Sequence, residues 1–157
     1  MALEQTLSFH EKDILIKLSD TAEQQARQLD TKLLIEIQIY FSCLLGKRLA
    51  FYSASEIEGV QQVEETLFSE LLTTAKPLSD HIFVRFNTVM TKSCSVSDYS
   101  GPPPVSDFKI SNQKPYVPNW LNIDFSDNLW AGEYGWHNSD KSFANTRQIR
   151  SAVLKQA

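Results

Sequence analysis

Glycine and cysteine are both scarce in this chain of 157 residues, which contains five glycines and two cysteines. Five glycines leave little material for loops that hold phosphate groups, and the sequence has neither a P-loop nor a G-x-G-x-x-G motif. Two thiols are too few to hold a domain of this size together with disulfides, and a reducing compartment tolerates them. We therefore expect a cytoplasmic protein without a disulfide framework.

Long apolar runs and a basic surplus are lacking as well. The longest apolar stretch, residues 33–45, is interrupted by polar side chains and is too short to span a bilayer. The formal net charge is −4. The segment of residues 141–157 has a net positive charge, because it contains four basic and no acidic side chains. This charge argues against a nucleic acid or a membrane as the partner. Residues 1–10 contain no Lys or Arg and no continuous apolar run, so we expect neither a secretory signal nor a transit peptide there.

The overall composition, with 42% apolar and 22% charged residues, is that of a globular protein, so we expect one domain over residues 1–157. Apolar residues recur every three or four positions over residues 22–44, which predicts an amphipathic helix that begins at Asp20. Residues 33–39 also alternate as a half-buried strand would, with a hairpin turn around Gly46. The helix is preferred because its pattern is longer.

A second helix is predicted after a short turn. Ser55 and Glu58 form a capping-box pattern, and the following apolar residues share one face until Lys76–Pro77 ends the helix. The opposite face carries four acidic residues, Glu56, Glu64, Glu65 and Glu70. We interpret this face as a solvated surface, with docking of a basic partner as the alternative. Residues 82–90 fit both a helix and a strand, and the helix is narrowly preferred.

The composition changes in the last third of the chain, where five of the six prolines lie between Pro102 and Pro118. Residues 95–143 are therefore predicted to be irregular, and residues 144–157 to form a basic terminal helix. The predicted fold is mainly α, with an antiparallel helical pair or small bundle over residues 1–94 and a proline- and aromatic-rich irregular C-terminal cover. The alternative is an α+β fold with a hairpin around Gly46.

Aromatic residues are concentrated in residues 99–143, which hold nine of the 17 aromatics and all three tryptophans. Aromatic faces beside carboxylates and amides are typical of cation and sugar binding. The preferred interpretation is structural: the aromatic rings attach an irregular segment to the predicted helices by burying their apolar area. It predicts that Trp120 and Trp130 are buried and that Trp136 is more exposed. The candidate surface for a ligand or partner consists of Trp120, Asp124, Asp127, Trp130, Glu133, Trp136, His137, Arg147 and Arg150.

No catalytic, metal-binding or cofactor-binding residue is predicted, although two constellations invite the idea. His137 lies four residues after Glu133 and three before Asp140, which suits metal ligands on a helix, but two glycines in the same segment argue against a helix. Asp124 or Asp127 with Glu133 would form the pair of carboxylates of a glycosidase, whose activity requires a fixed separation between the two groups.

These features together favour a non-enzymatic protein–protein interaction protein, of the adaptor, inhibitor or immunity type. Its expected partner is another protein, and self-association stays open. The basic residues Arg147 and Arg150 are expected to meet an acidic surface on this chain or on the partner. The alternative function is a small-ligand or carbohydrate binder, or a hydrolase, that uses residues 119–140.

Overall fold

The computed structural model describes residues 3–41, 46–91, 105–107 and 110–137. In chain order the elements are β1 (Leu3–Phe9), β2 (Lys12–Leu18), α1 (Asp20–Gln28), β3 (Leu33–Phe41), β4 (Gly46–Ser53), β5 (Gln61–Gln62), α2 (Glu65–Leu72), β6 (Lys76–Pro77), β7 (Ile82–Thr91), β8 (Val105–Asp107), a 3₁₀ helix (Lys114–Tyr116), β9 (Trp120–Ser126) and β10 (Leu129–Gly135). The protein is therefore mainly β.

The strands form two mixed sheets. Sheet A has the order β1-β2-β9-β10, in which the central β2 and β9 run parallel and the two outer pairs are antiparallel. Sheet B has the order β5-β4-β3-β7-β6, in which β3 is antiparallel to β4 and parallel to β7, and β8 pairs with the far end of β7. The parallel pairs bring together segments that are distant in sequence.

The two sheets pack face to face around a shared hydrophobic core. In β2 the fully buried Ile14, Ile16 and Leu18 alternate with more exposed residues, as expected for a strand with one face in the core. Ile35 and Ile37 of β3 belong to the same hydrophobic cluster, together with side chains from β1, β4, β7, β9 and β10. Burial of these side chains, at about 1.5–3 kcal/mol each, is the main stabilising contribution.

Polar contacts join the sheets on both sides of the core. The Tyr134 hydroxyl of β10 donates to the carbonyl oxygen of Gln38 at 2.6 Å and accepts from the backbone N–H of Arg48 at 3.1 Å. Gln38 and Arg48 lie opposite each other in the β3–β4 pair, so this phenol reaches into the ladder of the other sheet. On the other side, the Lys76 ammonium of β6 donates to the carbonyl oxygen of Ser8 in β1.

The predicted antiparallel helical pair is wrong, beginning with the helix over residues 22–44. The helix α1 begins at Asp20, as predicted, because Ser19 caps it by accepting from the backbone N–H of Ala22 at 3.2 Å, but it ends at Gln28. Residues from Leu33 form β3 instead. Several of the apolar positions are four residues apart, and a spacing of four places side chains on one face of a strand as well as on one face of a helix. The antiparallel pairing that the α+β alternative requires is present between β3 and β4, but Gly46 lies in β4 opposite Tyr40 and not in a turn, and the described chain is mainly β.

The second and third predicted helices are also largely wrong. The helix predicted from Ser55 is only the eight-residue α2, and its N-cap is Glu64, which makes no side-chain capping bond. Lys76–Pro77 forms a short edge strand, a position in which proline costs no ladder bond, and residues 82–90 lie in β7. In the described ranges, no helix is long and apolar enough to cross a membrane.

The irregular aromatic cover predicted for residues 95–143 is wrong over much of its described part, because β9 and β10 form an antiparallel hairpin. Asp127 and Asn128 both have positive φ angles, of 55° and 62°, at the tip. Two such residues in a two-residue loop suit the right-handed twist of the flanking strands. The basic terminal helix predicted for residues 144–157 lies outside the described residues, as do Arg147 and Arg150.

Candidate functional site

The predicted site residues of the hairpin lie on two opposite faces of sheet A. The register pairs Trp130 with Phe125 and Tyr134 with Leu121, which places these side chains toward the core. Trp120, Asp124 and Glu133 lie on the opposite face, because they alternate with the core residues along the strands. The structure therefore does not bring Trp120 and Trp130 together on one ligand-binding surface.

Each of the three tryptophans in residues 120–136 is held by packing against another ring or by a hydrogen bond from its indole N–H. Trp130 is 2% exposed and packs against Phe125 with ring centroids 5.0 Å apart. Trp120 is also 2% exposed, and its indole N–H donates to the carbonyl oxygen of His137 at 2.6 Å. Trp136 is only half-buried and donates to the carbonyl oxygen of Tyr116 at 3.1 Å. The predicted order of exposure, with Trp136 the most exposed, is confirmed.

The predicted carboxylates divide in the same way. Asp124 and Glu133 are diagonal neighbours on the outer face of sheet A, whereas Asp127 lies at the hairpin tip. Asp124 accepts from the hydroxyls of Ser19 at 2.6 Å and Thr21 at 3.3 Å, so it supports the N-terminus of α1. Of the two carboxylate pairs considered from the sequence, Asp124 with Glu133 lies on one face of sheet A, whereas Asp127 with Glu133 does not.

A metal centre around His137 finds no support in the described ranges. His137 is exposed, Glu133 is 2% exposed, and Asp140 lies outside the described residues. Among the residues described, no three His, Cys, Asp or Glu side chains come close enough to hold a metal ion.

An acidic surface is formed by the exposed side of α2 and its N-cap. This α2 acidic surface consists of Glu64, Glu65, Thr66, Leu67, Ser69, Glu70 and Thr73, all of them exposed. Five of these residues line an open, shallow groove with a volume of about 460 Å³. Its three carboxylates make no ion pair with any described residue. Leu67, at 44% exposed, is one of two large apolar side chains found exposed in the described part of the chain.

A second polar arrangement, which the sequence analysis missed, lies on the outer face of sheet B. We call it the sheet-B polar cluster, and it consists of Glu36, Gln38, Arg48, Tyr52, Thr74 and Arg85. The two Glu36 carboxylate oxygens accept from the amide of Gln38, at 2.6 Å, and from the guanidinium of Arg85. The nitrogen of the same amide also donates to the Tyr52 hydroxyl at 3.1 Å.

The remaining contacts of this cluster extend the chain of hydrogen bonds at both ends. Arg48 donates from Nε to the amide oxygen of Gln38 at 2.8 Å, and Arg85 donates from Nε to the Thr74 hydroxyl at 2.7 Å. Glu36 and Gln38 are 3% and 1% exposed, so this is a buried ion pair with a buried amide beside it. Burial, and then the charge of Glu36, raise the pKa of Tyr52, which keeps its phenol protonated.

The sequence signal for this cluster is the alternation of Glu36 and Gln38 with isoleucines in β3, which places both polar side chains on one face of a strand. Arg48 and Arg85 join them only through the register of β3 with β4 and β7.

In comparisons with protein-family models, with curated proteins and with solved structures, nothing matches this chain. Function is therefore inferred from the chemistry of the described residues.

Proposed function

We propose that this protein is a non-enzymatic binding protein of the adaptor, inhibitor or immunity type, which docks a basic region of a partner protein on the α2 acidic surface in the cytoplasm. The observation that carries the proposal is the uncompensated charge of residues 49–75. This segment holds five acidic residues, all exposed, and no basic residue. A partner with a basic region would supply the missing countercharges.

The physics of association supports this choice of surface. A cluster of charges of one sign steers an oppositely charged partner and raises the rate of association, with modest affinity from each exposed pair. Apolar contact must supply much of the remaining free energy, and Leu67 lies exposed between Glu65 and Glu70 on α2. The α2 acidic surface therefore combines a steering charge with an apolar anchor.

A quantitative test compares two charge-reversed variants of the full chain. The partner is isolated by affinity purification from the native host, and its binding to the purified chain is then measured by isothermal titration calorimetry. We expect Glu65→Lys with Glu70→Lys to weaken binding by about tenfold or more, because two attractive contacts, each worth up to about 1 kcal/mol, become repulsive. Binding of the wild type should also weaken as the salt concentration rises.

The matched control is Asp30→Lys with Asp80→Lys, which makes the same change in net charge at two exposed loop positions outside α2 and the groove it lines. We expect the control to bind within about twofold of the wild type, since only the net charge has changed. Circular dichroism checks that both variants keep their fold. A partner that binds the α2 variant as tightly as the control would contradict the proposal.

The alternative function, a small-ligand or carbohydrate binder, or a hydrolase, uses the shared face of Trp120, Asp124 and Glu133, and the 2% exposure of both Trp120 and Glu133 makes protein docking the preferred function. An added sugar that quenches tryptophan fluorescence saturably in the wild type, and not in Trp120→Phe, would favour this alternative over protein docking.

A further inference from the structure

The sheet-B polar cluster holds one arginine more than it has carboxylates. Glu36 is its single acidic residue, and Arg85 forms an ion pair with it. Arg48 contributes a second positive charge, and it makes no ion pair with any described residue. The cluster therefore has a net charge of +1, in a chain whose formal net charge is −4.

Buried hydrogen bonds fix the position of Arg48. Its Nε donates to the amide oxygen of Gln38, a residue that is 1% exposed. The Gln38 amide is fixed against a 180° flip that would exchange its oxygen and nitrogen, because its nitrogen donates to Glu36. Glu36 also accepts from Arg85. The Nε side of the Arg48 guanidinium is therefore held in place by the protein itself, before any ligand binds.

The outer edge of the same guanidinium is free to bind. With Nε engaged, the two terminal nitrogens of Arg48 present a pair of parallel N–H donors, which no described residue accepts. The Tyr52 hydroxyl accepts from the other end of the Gln38 amide, and its own proton has no acceptor among the described residues. Both side chains are only partly buried. One amide thus holds two donor groups for which the described part of the chain supplies no acceptor.

We propose that Arg48 and Tyr52 bind the carboxylate group of a ligand at the partly exposed edge of the sheet-B polar cluster. A carboxylate is planar and carries two oxygens at the spacing of the guanidinium donors, which gives two parallel charge-assisted hydrogen bonds. Its single negative charge neutralises the net charge of the cluster. The Tyr52 hydroxyl donates a third hydrogen bond to one of the same oxygens.

The test is a titration of the ¹⁵N-labelled full chain with sodium acetate, followed by nuclear magnetic resonance at constant ionic strength, with sodium chloride as the reference. We expect saturable shifts of the Arg48 Nε–Hε signal and of the Tyr52 backbone amide with acetate and not with chloride. Arg48→Gln should abolish the saturable shifts. Arg27→Gln is the matched control and should leave them unchanged, because Arg27 is exposed on α1 and pairs with Glu23.

Two further variants keep the test decisive if Arg48→Gln fails to fold. Arg48→Lys keeps the charge and loses the planar pair of donors, so acetate should bind more weakly. Tyr52→Phe removes one neutral donor and should weaken binding by about two- to tenfold. Shifts that grow linearly with acetate, or a Tyr52 amide shift that saturates at the wild-type acetate concentration in both Arg48→Gln and Arg48→Lys, would overturn the proposal.

The source of the carboxylate is distinguished by a second pair of probes. An N-acetylated dipeptide with a free C-terminus is compared with the same dipeptide amidated at that end. Tighter binding of the free-acid dipeptide than of acetate identifies a peptide C-terminus as the ligand, and equal binding identifies a small free acid. Equal shifts from the free and the amidated dipeptide would contradict carboxylate recognition.

Discussion

Removing Arg85 tests how the buried Glu36 charge is stabilised. The side chains of Glu36 and Arg85 are 4% and 13% exposed, so both charges have lost most of their contact with water. Breaking a buried pair by removing one partner costs about 3–5 kcal/mol, because the other charge stays buried without a countercharge. In Arg85→Met the Gln38 amide still donates to Glu36, so we expect a loss near the lower end, about 3 kcal/mol.

The double variant Glu36→Leu with Arg85→Met separates this cost from a loss of packing. Replacing both members of a buried pair by apolar side chains of similar volume is often neutral or stabilising, so we expect the double variant to lie within about 1 kcal/mol of the wild type. Urea unfolding followed by the fluorescence of the buried Trp120 and Trp130 gives the free energy of unfolding of each variant.

The double-mutant cycle decides the outcome. Because the two residues interact directly, we expect the loss in the double variant to be much smaller than the sum of the losses in Glu36→Leu and Arg85→Met. Additive losses would show that the ion pair contributes no coupling and would refute the reasoning. So would an Arg85→Met variant that folds with less than about 1 kcal/mol of destabilisation.

Three further predictions concern the turn, the core and the phenol that joins the sheets. Glu11 has a φ of 66°, so Glu11→Gly should stabilise the protein by about 1 kcal/mol in thermal unfolding, whereas the control Glu4→Gly, at an extended position of β1, should destabilise it. Trp130→Ala should cost about 3–5 kcal/mol and Trp136→Ala clearly less; equal losses in urea would contradict their different burial. Burial raises the pKa of Tyr134, so the unfolded state ionises first and stability should fall as the pH rises above about 10, less steeply in Tyr134→Phe; identical pH profiles would argue against this residue.

The periodicity of β3 explains why its structure was predicted wrongly. Isoleucines alternate with Glu36 and Gln38 in β3, but all residues from Leu33 to Ile39 are buried, so this short alternation belongs to a strand buried on both faces and not to a half-exposed one. A parallel partner on one side and an antiparallel partner on the other enclose it, and neither partner is visible from local sequence. Tertiary pairing decided the structure against the helical periodicity.

The hairpin of β9 and β10 was predictable in part. Asp127 and Asn128 form a turn-favouring pair between two stretches that each contain two aromatic residues, which is a hairpin signal. The prolines that indicate irregular chain end at Pro118, two residues before β9 begins. Extending the irregular segment beyond that proline concealed the hairpin, although the order of tryptophan burial was predicted correctly.

The acidic and the basic candidate surfaces differ in what reveals them. The carboxylates of α2 are exposed under the helical interpretation and in the structure, because a run of acidic residues without bases is solvated in either case. The sheet-B polar cluster depends on the fold. Residues two positions apart point in different directions on a helix, so the helical prediction separated Glu36 from Gln38. On a strand they share one face, and the parallel register then brings Arg85, 49 residues away, to Glu36. The error in secondary structure is thus the physical reason why the sheet-B polar cluster was not predicted.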